Sequence, residues 1–239
     1  MIEKQKKIVI IPTYNEKENI YKLIDEIVNL QYEFNVCIVD DNSPDGTAAI
    51  VEKMKSEHPK NNQIHLIKRA GKLGLGTAYK TGIKYGLANG FDIIFTMDAD
   101  FSHHPKYLPD FILKLKDNDI VIGSRYIPGG GTLNWGLHRK ILSGTANLFA
   151  KFTLGLKSND NTAGYRGYKK IVFEKVCLDD ILSEGYSFLV EMIFRCSQNN
   201  FKIGETPIIF ADREKGASKI SKQEIFKAIK TIFRLKFSK

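Results

Sequence analysis

Short runs rich in isoleucine and valine alternate with longer amphipathic stretches through the first half of this chain, and most of the runs stop at a polar cluster. Residues 7–11, 36–39, 64–67, 92–97 and 119–122 are apolar without polar alternation. Strands covered on both faces need that pattern, whereas a sheet with one wet face would alternate. Between them, 17–30 places Ile20, Leu23, Ile24, Ile27 and Leu30 on one helical face, and 46–57 and 77–88 also read as helices. This predicts an α/β fold with a doubly wound, mainly parallel sheet and helices on both faces. The 239 residues suffice for one such domain, spanning 1–239. A Pro-Gly-Gly-Gly turn at 128–131 divides it into halves 1–127 and 128–239. In the second half, 137–156 reads as a long basic amphipathic helix, 203–210 as a strand and 221–237 as a final basic helix.

Composition narrows the classes. Hydrophobic residues make up 43% and charged residues 26%, as in ordinary globular domains. No run approaches the ~18 apolar residues of a bilayer span. The polar start at 1–7 argues against a cleaved secretory leader. Cys37, Cys177 and Cys196 are odd in number and far apart, which fits reduced thiols better than disulfides or a zinc site. Charge is asymmetric: residues 1–137 hold 17 basic and 17 acidic side chains, while 138–239 hold 19 and 10, accounting for the net +9. Such a basic half fits either an anionic partner or a solvated surface.

In an open parallel sheet, ligands bind beyond the carboxyl ends of the strands. Those ends here are Pro12-Thr13-Tyr14-Asn15-Glu16, Asp40-Asp41-Asn42-Ser43, Asp98-Ala99-Asp100 and Gly123-Ser124-Arg125. Four adjacent strand ends would thus gather acids, an aromatic ring and an arginine around one crevice. Asp98 and Asp100 are the sharpest pair, because two carboxylates at one strand end repel unless a cation joins them. Hard oxygen ligands suit Mg²⁺ or Mn²⁺ with a diphosphate; a helix cap or loop ion pair is the plainer reading. Asp40 and Asp41 are candidates for accepting hydrogen bonds from a base or ribose, within a segment also rich in turn formers. Gly71, Gly74 and Gly76 fit neither a dinucleotide fingerprint nor a P-loop. Arg139, Lys140 and Ser143 open the long basic helix, and Arg213, Lys215, Ser218 and Lys219 surround Gly216 in a loop suited to phosphate or to solvent. The last helix carries Ile225, Ile229, Ile232 and Phe233 between lysines and Arg234, the pattern of an interfacial membrane helix and also of one docked on a core.

The segments IPTYNEKENI, VDDNSPDGT, GKLGLGTAYKTG, MDADFSHHP, IVIGSRY, HRKILSGTAN, NTAGYRGY, SEGYSFLVEM and DREKGASK occur in the order seen in dolichyl-phosphate mannosyltransferases. The chain resembles that family, inverting GT-A enzymes of the family-2 glycosyltransferase group, over nearly its whole length. It is most similar to the short catalytic-subunit form lacking a C-terminal membrane domain. The resemblance implies mannose transfer from GDP-mannose to dolichyl (polyprenyl) phosphate, giving a lipid-linked donor for glycosylation and GPI-anchor-type pathways. The halves become a nucleotide-sugar half and an acceptor and membrane-interface half. Pro12, Tyr14, Glu16, Val39 and Asp41 would line the nucleotide site. Asp98, Ala99 and Asp100 would hold Mg²⁺ or Mn²⁺ and the donor diphosphate. Arg125, Arg213 and Lys219 would clamp phosphates, and Arg139 and Ser143 would meet the acceptor phosphate, with Asp100, Arg125 and Arg139 central to catalysis. The enzyme would sit on the cytosolic face of a membrane, endoplasmic reticulum in a eukaryote and plasma membrane in a prokaryote, with or without small transmembrane anchoring subunits. Ser102 stands where some members carry Gln, so a third side-chain metal ligand is not implied. Asp160-Asn161-Thr162-Ala163-Gly164-Tyr165-Arg166 varies the family's Asp-x-Thr-Ser-Gly-Phe-Arg and implies a supporting role. A related polyprenyl-phosphate glucosyl- or other sugar transferase, a transferase with another acceptor, a nucleotidyltransferase and a non-catalytic basic membrane- or nucleic-acid-binding protein are the alternatives; the acidic crevice argues against the last, and no nucleic-acid partner is expected.

Overall fold

A computed structural model describes residues 2–212 and 222–237. Its first half runs β1 (Lys7–Thr13), α1 (Lys17–Val28), β2 (Phe34–Asp40), α2 (Thr47–Glu57), β3 (Ile64–Lys68), α3 (Leu75–Ala88), β4 (Ile93–Thr96), α4 (Leu108–Leu115) and β5 (Ile120–Ser124). The second half continues with β6 (Gly131–Leu133), α5 (Leu137–Leu154), β7 (Arg166–Lys169), α6 (Ile171–Lys175), α7 (Ser187–Gln198), β8 (Ile203–Pro207), β9 (Ile209–Ala211) and α8 (Lys222–Phe237). Seven strands form the main sheet in the order β3-β2-β1-β4-β7-β5-β8, and β6 pairs with β9 in a small parallel ladder.

Strand alternation sorts the core into two layers. Ile8 and Ile10 of β1 join α3, α5, α7 and α8 on one face, whereas Val9 and Ile11 join α1, α2 and α4 on the other. All four are fully buried, which is why the sequence shows no polar alternation. Helix α3 lies close on β1 because of Gly82: a Cβ there would stand 2.1 Å from Ile10 Cγ2.

The structure corrects three expectations. The strand ends of β4 and β5 are not adjacent, because β7 inserts between them, antiparallel to both. Four residues, Arg-Gly-Tyr-Lys, carry no strand periodicity. Gly167 admits the strand there, since a Cβ would stand 2.7 Å from Phe95 Cε1. The 203–210 segment is two strands, since Ile208 leaves the main sheet and β9 pairs with β6. Helices α4 and α7 lie outside the elements expected from sequence; α7 buries eight of its twelve residues, which blurs its amphipathic period.

Candidate active site

The carboxyl ends of β1, β2 and β4 build one side of the site. At β2, Asp40 is fully buried and accepts from Thr13 Oγ1 (2.8 Å), Ser43 N (2.9 Å) and Ser43 Oγ (2.6 Å). It therefore anchors the turn and is not a ligand residue as its sequence suggested. Asp41 faces the loop between β3 and α3: its Oδ1 accepts from Arg69 Nε at 2.5 Å and its Oδ2 from Leu73 N at 3.2 Å. Arg69 also donates to Thr77 Oγ1 and to the Gly74 carbonyl, so the Gly-rich loop is tied to the crevice. Tyr14 is half-buried with the Lys72 ammonium 4.4 Å from its ring centre. Pro12 and Glu16 are half-buried beside it; the Glu16 amide donates to Thr47 Oγ1. Val39 is fully buried in the core with Ile8 and Ile10 and offers no surface to a ligand, so its expected nucleotide contact becomes a packing role.

Beyond β4, the pair separates into two environments. Asp98 is 23% exposed, its Oδ1 accepts from the Tyr79 phenol at 3.1 Å, and its amide donates to His103 Nδ1 at 2.9 Å. Burial holds the His103 imidazole below its ordinary range, and the accepting Nδ1 places the proton on Nε2. Burial, then Asp98, pushes the Tyr79 phenol well above its ordinary value, so it stays a donor. Asp100 is buried, and its Oδ1 accepts from Ser102 N (3.2 Å) and Ser102 Oγ (2.5 Å). Phe101 between them takes φ +59°, a strained conformation for a bulky residue, which turns the chain back onto Asp100. Ala99 is buried. Gly164 covers this corner, where a Cβ would lie 3.4 Å from His103 Cε1 and 3.7 Å from Asp98 Oδ1.

Further cations follow from the end of β5 onward. Arg125 donates from Nε and Nη2 to the two oxygens of Asp160, both at 2.7 Å, and its amide donates to the same carboxylate at 3.0 Å. Asp160 is fully buried. Burial alone would raise its carboxyl, but the Arg125 guanidinium overrides this and holds it below the usual carboxylate range. Nη2 also donates to Thr162, which leaves Nη1 as the edge of Arg125 able to reach a ligand. Arg166, fully buried, donates to the carbonyls of Leu189 and Asn161 and so fastens the Asp160 loop to α7. Arg139 lies 4.1 Å over Trp135 and donates to Asp212 at 2.7 Å. Ser143, one turn along α5, accepts from the Tyr126 hydroxyl at 2.9 Å. Arg213 and Lys219 lie outside the described residues.

A cavity of about 430 Å³ connects the Asp98 corner with Arg125, Arg139 and helices α5, α7 and α8. Asp98, His103, Arg125, Arg139 and Ser143 line its polar end, and Leu142, Phe149, Leu189, Ile229 and Ile232 its apolar end between α5, α7 and α8. Pro12, Tyr14, Glu16, Asp41 and Asp100 lie outside this lining. Among the described residues, no three His, Cys, Asp or Glu side chains cluster as a complete metal cage. Asp98 and Asp100 are hard oxygen donors of the kind Mg²⁺ or Mn²⁺ would take, and two such side chains would leave the remaining ligands to substrate or water.

The model of glycosyl transferase family 2 matches residues 8–177. The chain belongs to glycosyl transferase family 2. This family 2 protein is 40% identical to the polyprenol monophosphomannose synthase of Mycolicibacterium smegmatis, over 94% of this chain and 84% of the relative. It is also 40% identical to the undecaprenyl-phosphate mannosyltransferase of Micrococcus luteus, over 95% and 92%. Its fold is similar to that of glucosyl-3-phosphoglycerate synthase from Mycobacterium tuberculosis, solved with Mn²⁺, UDP-glucose and phosphoglyceric acid. That match has a TM-score of 0.70 and 15% identity, covering 98% of this chain and 80% of the other. The fold is GT-A-like, with a mostly parallel central sheet, as the sequence predicted.

Sequence reasoning missed Arg69, Tyr79, His103, Trp135 and Asp212 as site residues. Tyr79, His103 and Asp212 stand inside the family-like segments, but a tyrosine on an apolar helix face, a histidine in a loop and an aspartate beside an arginine carry no periodic signal.

Proposed function

We propose that this family 2 transferase moves mannose from GDP-mannose to a polyprenyl phosphate such as dolichyl phosphate, with inversion. The cavity carries this reading: Asp98, Asp212, Arg125 and Arg139 share its lining with apolar side chains of α5, α7 and α8. A sugar diphosphate needs the first and a lipid tail the second. Asp98 and Asp100 would hold Mg²⁺ or Mn²⁺, which when bound neutralises charge on the donor diphosphate. Pro12, Tyr14, Glu16 and Asp41 frame the donor crevice, and Arg125, Arg213 and Lys219 supply phosphate contacts. Arg139 and Ser143 orient the acceptor phosphate. A phosphate monoester has a second pKa of about 6 and is already anionic at neutral pH. Its oxygen therefore attacks the anomeric carbon without a strong base: the carbon–oxygen bond to the acceptor forms as the bond to the nucleoside diphosphate breaks. His103, neutral and engaged at Nδ1, fits that absence of a base.

Peripheral attachment to the cytosolic face of a membrane is part of the reading. Leu137, Ile141, Phe152, Phe226 and Phe237 stand exposed on α5 and α8, which pack together through Phe149 and Phe233. No helix among the described residues is long and apolar enough to cross a membrane. The test supplies the purified chain with radiolabelled GDP-mannose or UDP-glucose, a polyprenyl phosphate, and Mn²⁺, Mg²⁺ or chelator. Label from GDP-mannose should enter the organic phase in the presence of metal, and Asp100→Ala should abolish it. Transfer from UDP-glucose alone would replace mannose by glucose, and near-normal turnover by Asp100→Ala would defeat the assignment of the metal site.

A further inference from the structure

Two arginines line the cavity, and their carboxylate partners differ in kind. Arg125 and Asp160 are 7% and 0% exposed, joined by two side-chain bonds and one from the main chain. That pair is sealed and holds its geometry. Arg139 and Asp212 are 24% and 36% exposed and meet through Arg139 Nη1 and Asp212 Oδ1 at 2.7 Å, open to the cavity that both line. A part-exposed ion pair adds little net stability, so a stronger anion can displace one of its members. Both partners are anchored beside the cavity. The Asp212 amide is fixed to the Leu133 carbonyl, extending the β6–β9 ladder. Arg139 lies in the first turn of α5, its guanidinium resting on Trp135, which packs edge-on against Phe210 at 5.3 Å.

We propose that Asp212 is an exchangeable stand-in for the acceptor phosphate: it holds the Arg139 guanidinium until the phosphate displaces it, and reclaims it when the lipid product leaves. The proposal rests on the reading above that Arg139 and Ser143 receive that phosphate. A phosphate brings more charge and more acceptor oxygens than a carboxylate and makes stronger charge-assisted bonds to arginine, so it wins the exchange. The product, a phosphodiester with one negative charge, holds less firmly. Because Asp212 competes with every anion at Arg139, its presence lowers affinity for substrate and product alike. It keeps the basic end of the cavity from becoming a sink for product or stray phosphate. A carboxylate that merely oriented Arg139 would have the opposite effect on affinity.

The sign of the change decides the matter. Farnesyl phosphate binding is measured by calorimetry on the full chain in detergent, for wild type, Asp212→Asn, Asp212→Ala, Arg139→Gln and the Asp212→Asn/Arg139→Gln double variant. Both Asp212 variants should bind about three- to tenfold more tightly. Inorganic phosphate should inhibit them at correspondingly lower concentration. The gain should vanish in the Arg139→Gln background, since a double-mutant cycle isolates the pair. Unchanged or weaker binding in the Asp212 variants, or a gain that persists without Arg139, overturns the proposal. Should Arg139→Gln alone bind farnesyl phosphate as wild type does, the acceptor-site reading is what has failed.

Discussion

The phenol of Tyr79, completely buried on α3, donates to Oδ1 of Asp98 across 3.1 Å. A core helix thereby reaches the carboxyl end of the central strand β4 to orient one of the two carboxylates proposed to hold metal. His103 fixes the same residue from behind by accepting its main-chain amide. Outer-shell partners of this kind set the affinity of the ligands they orient.

Tyr79→Phe removes that hydroxyl while keeping the ring stacked near Phe188. The Mn²⁺ concentration giving half-maximal binding, followed by electron paramagnetic resonance in the presence of GDP, should rise on the order of tenfold. The melting temperature should stay within a few degrees of wild type. An unaltered Mn²⁺ titration would remove Tyr79 from the site.

Asp160→Asn leaves Arg125 buried without its counter-charge and should cost about 3 kcal/mol of stability at pH 7. The sign of the pH effect follows from the lowered carboxyl of Asp160. Its contribution is complete above the unfolded carboxylate pKa of about 3.9 and fades as pH falls through the lower folded value. Urea unfolding of both proteins should therefore give curves that converge below about pH 4. A constant gap down to the acid limit would refute the ionic account.

Phe152 and Phe226 are 75% and 70% exposed on α5 and α8. Burying a phenylalanine is worth roughly 1.5–3 kcal/mol, so replacing both by serine should weaken binding to anionic phospholipid vesicles at least tenfold. Turnover of a short, water-soluble acceptor should hold steady. Co-sedimentation measures the first and a radiolabel assay the second; vesicle binding indifferent to the change would move the membrane surface elsewhere.

Burial pushes the thiols of Cys37 and Cys196 up to about 12, while Cys177 is exposed. Because only the thiolate reacts, Ellman's reagent at pH 8 should titrate one thiol in the native protein and three in denaturant. Fast modification of more than one native thiol would contradict the packing around β2 and α7.

Much of the first half was legible because its strands are buried on both faces and its helices on one, so hydrophobic period maps directly onto structure. The metal-ligand candidates were legible for a related reason: ionisable residues at the end of an apolar strand have no place in a core. Asp40 misled because its chemistry is identical to that of Asp41. Only the three-dimensional turn shows Thr13 and Ser43 consuming its oxygens.

The sequence by itself determined the doubly wound class, the positions of Asp98 and Asp100 and the basic character of the second half, since these follow from local pattern and charge. Tertiary structure alone decided that β7 runs antiparallel between β4 and β5. It also decided that Asp160 belongs to Arg125 and Asp212 to Arg139, partners 35 and 73 residues apart in the chain. Pairings at that separation leave no periodic trace, because the free energy that selects them comes from desolvation and geometry that exist only once the sheet has closed.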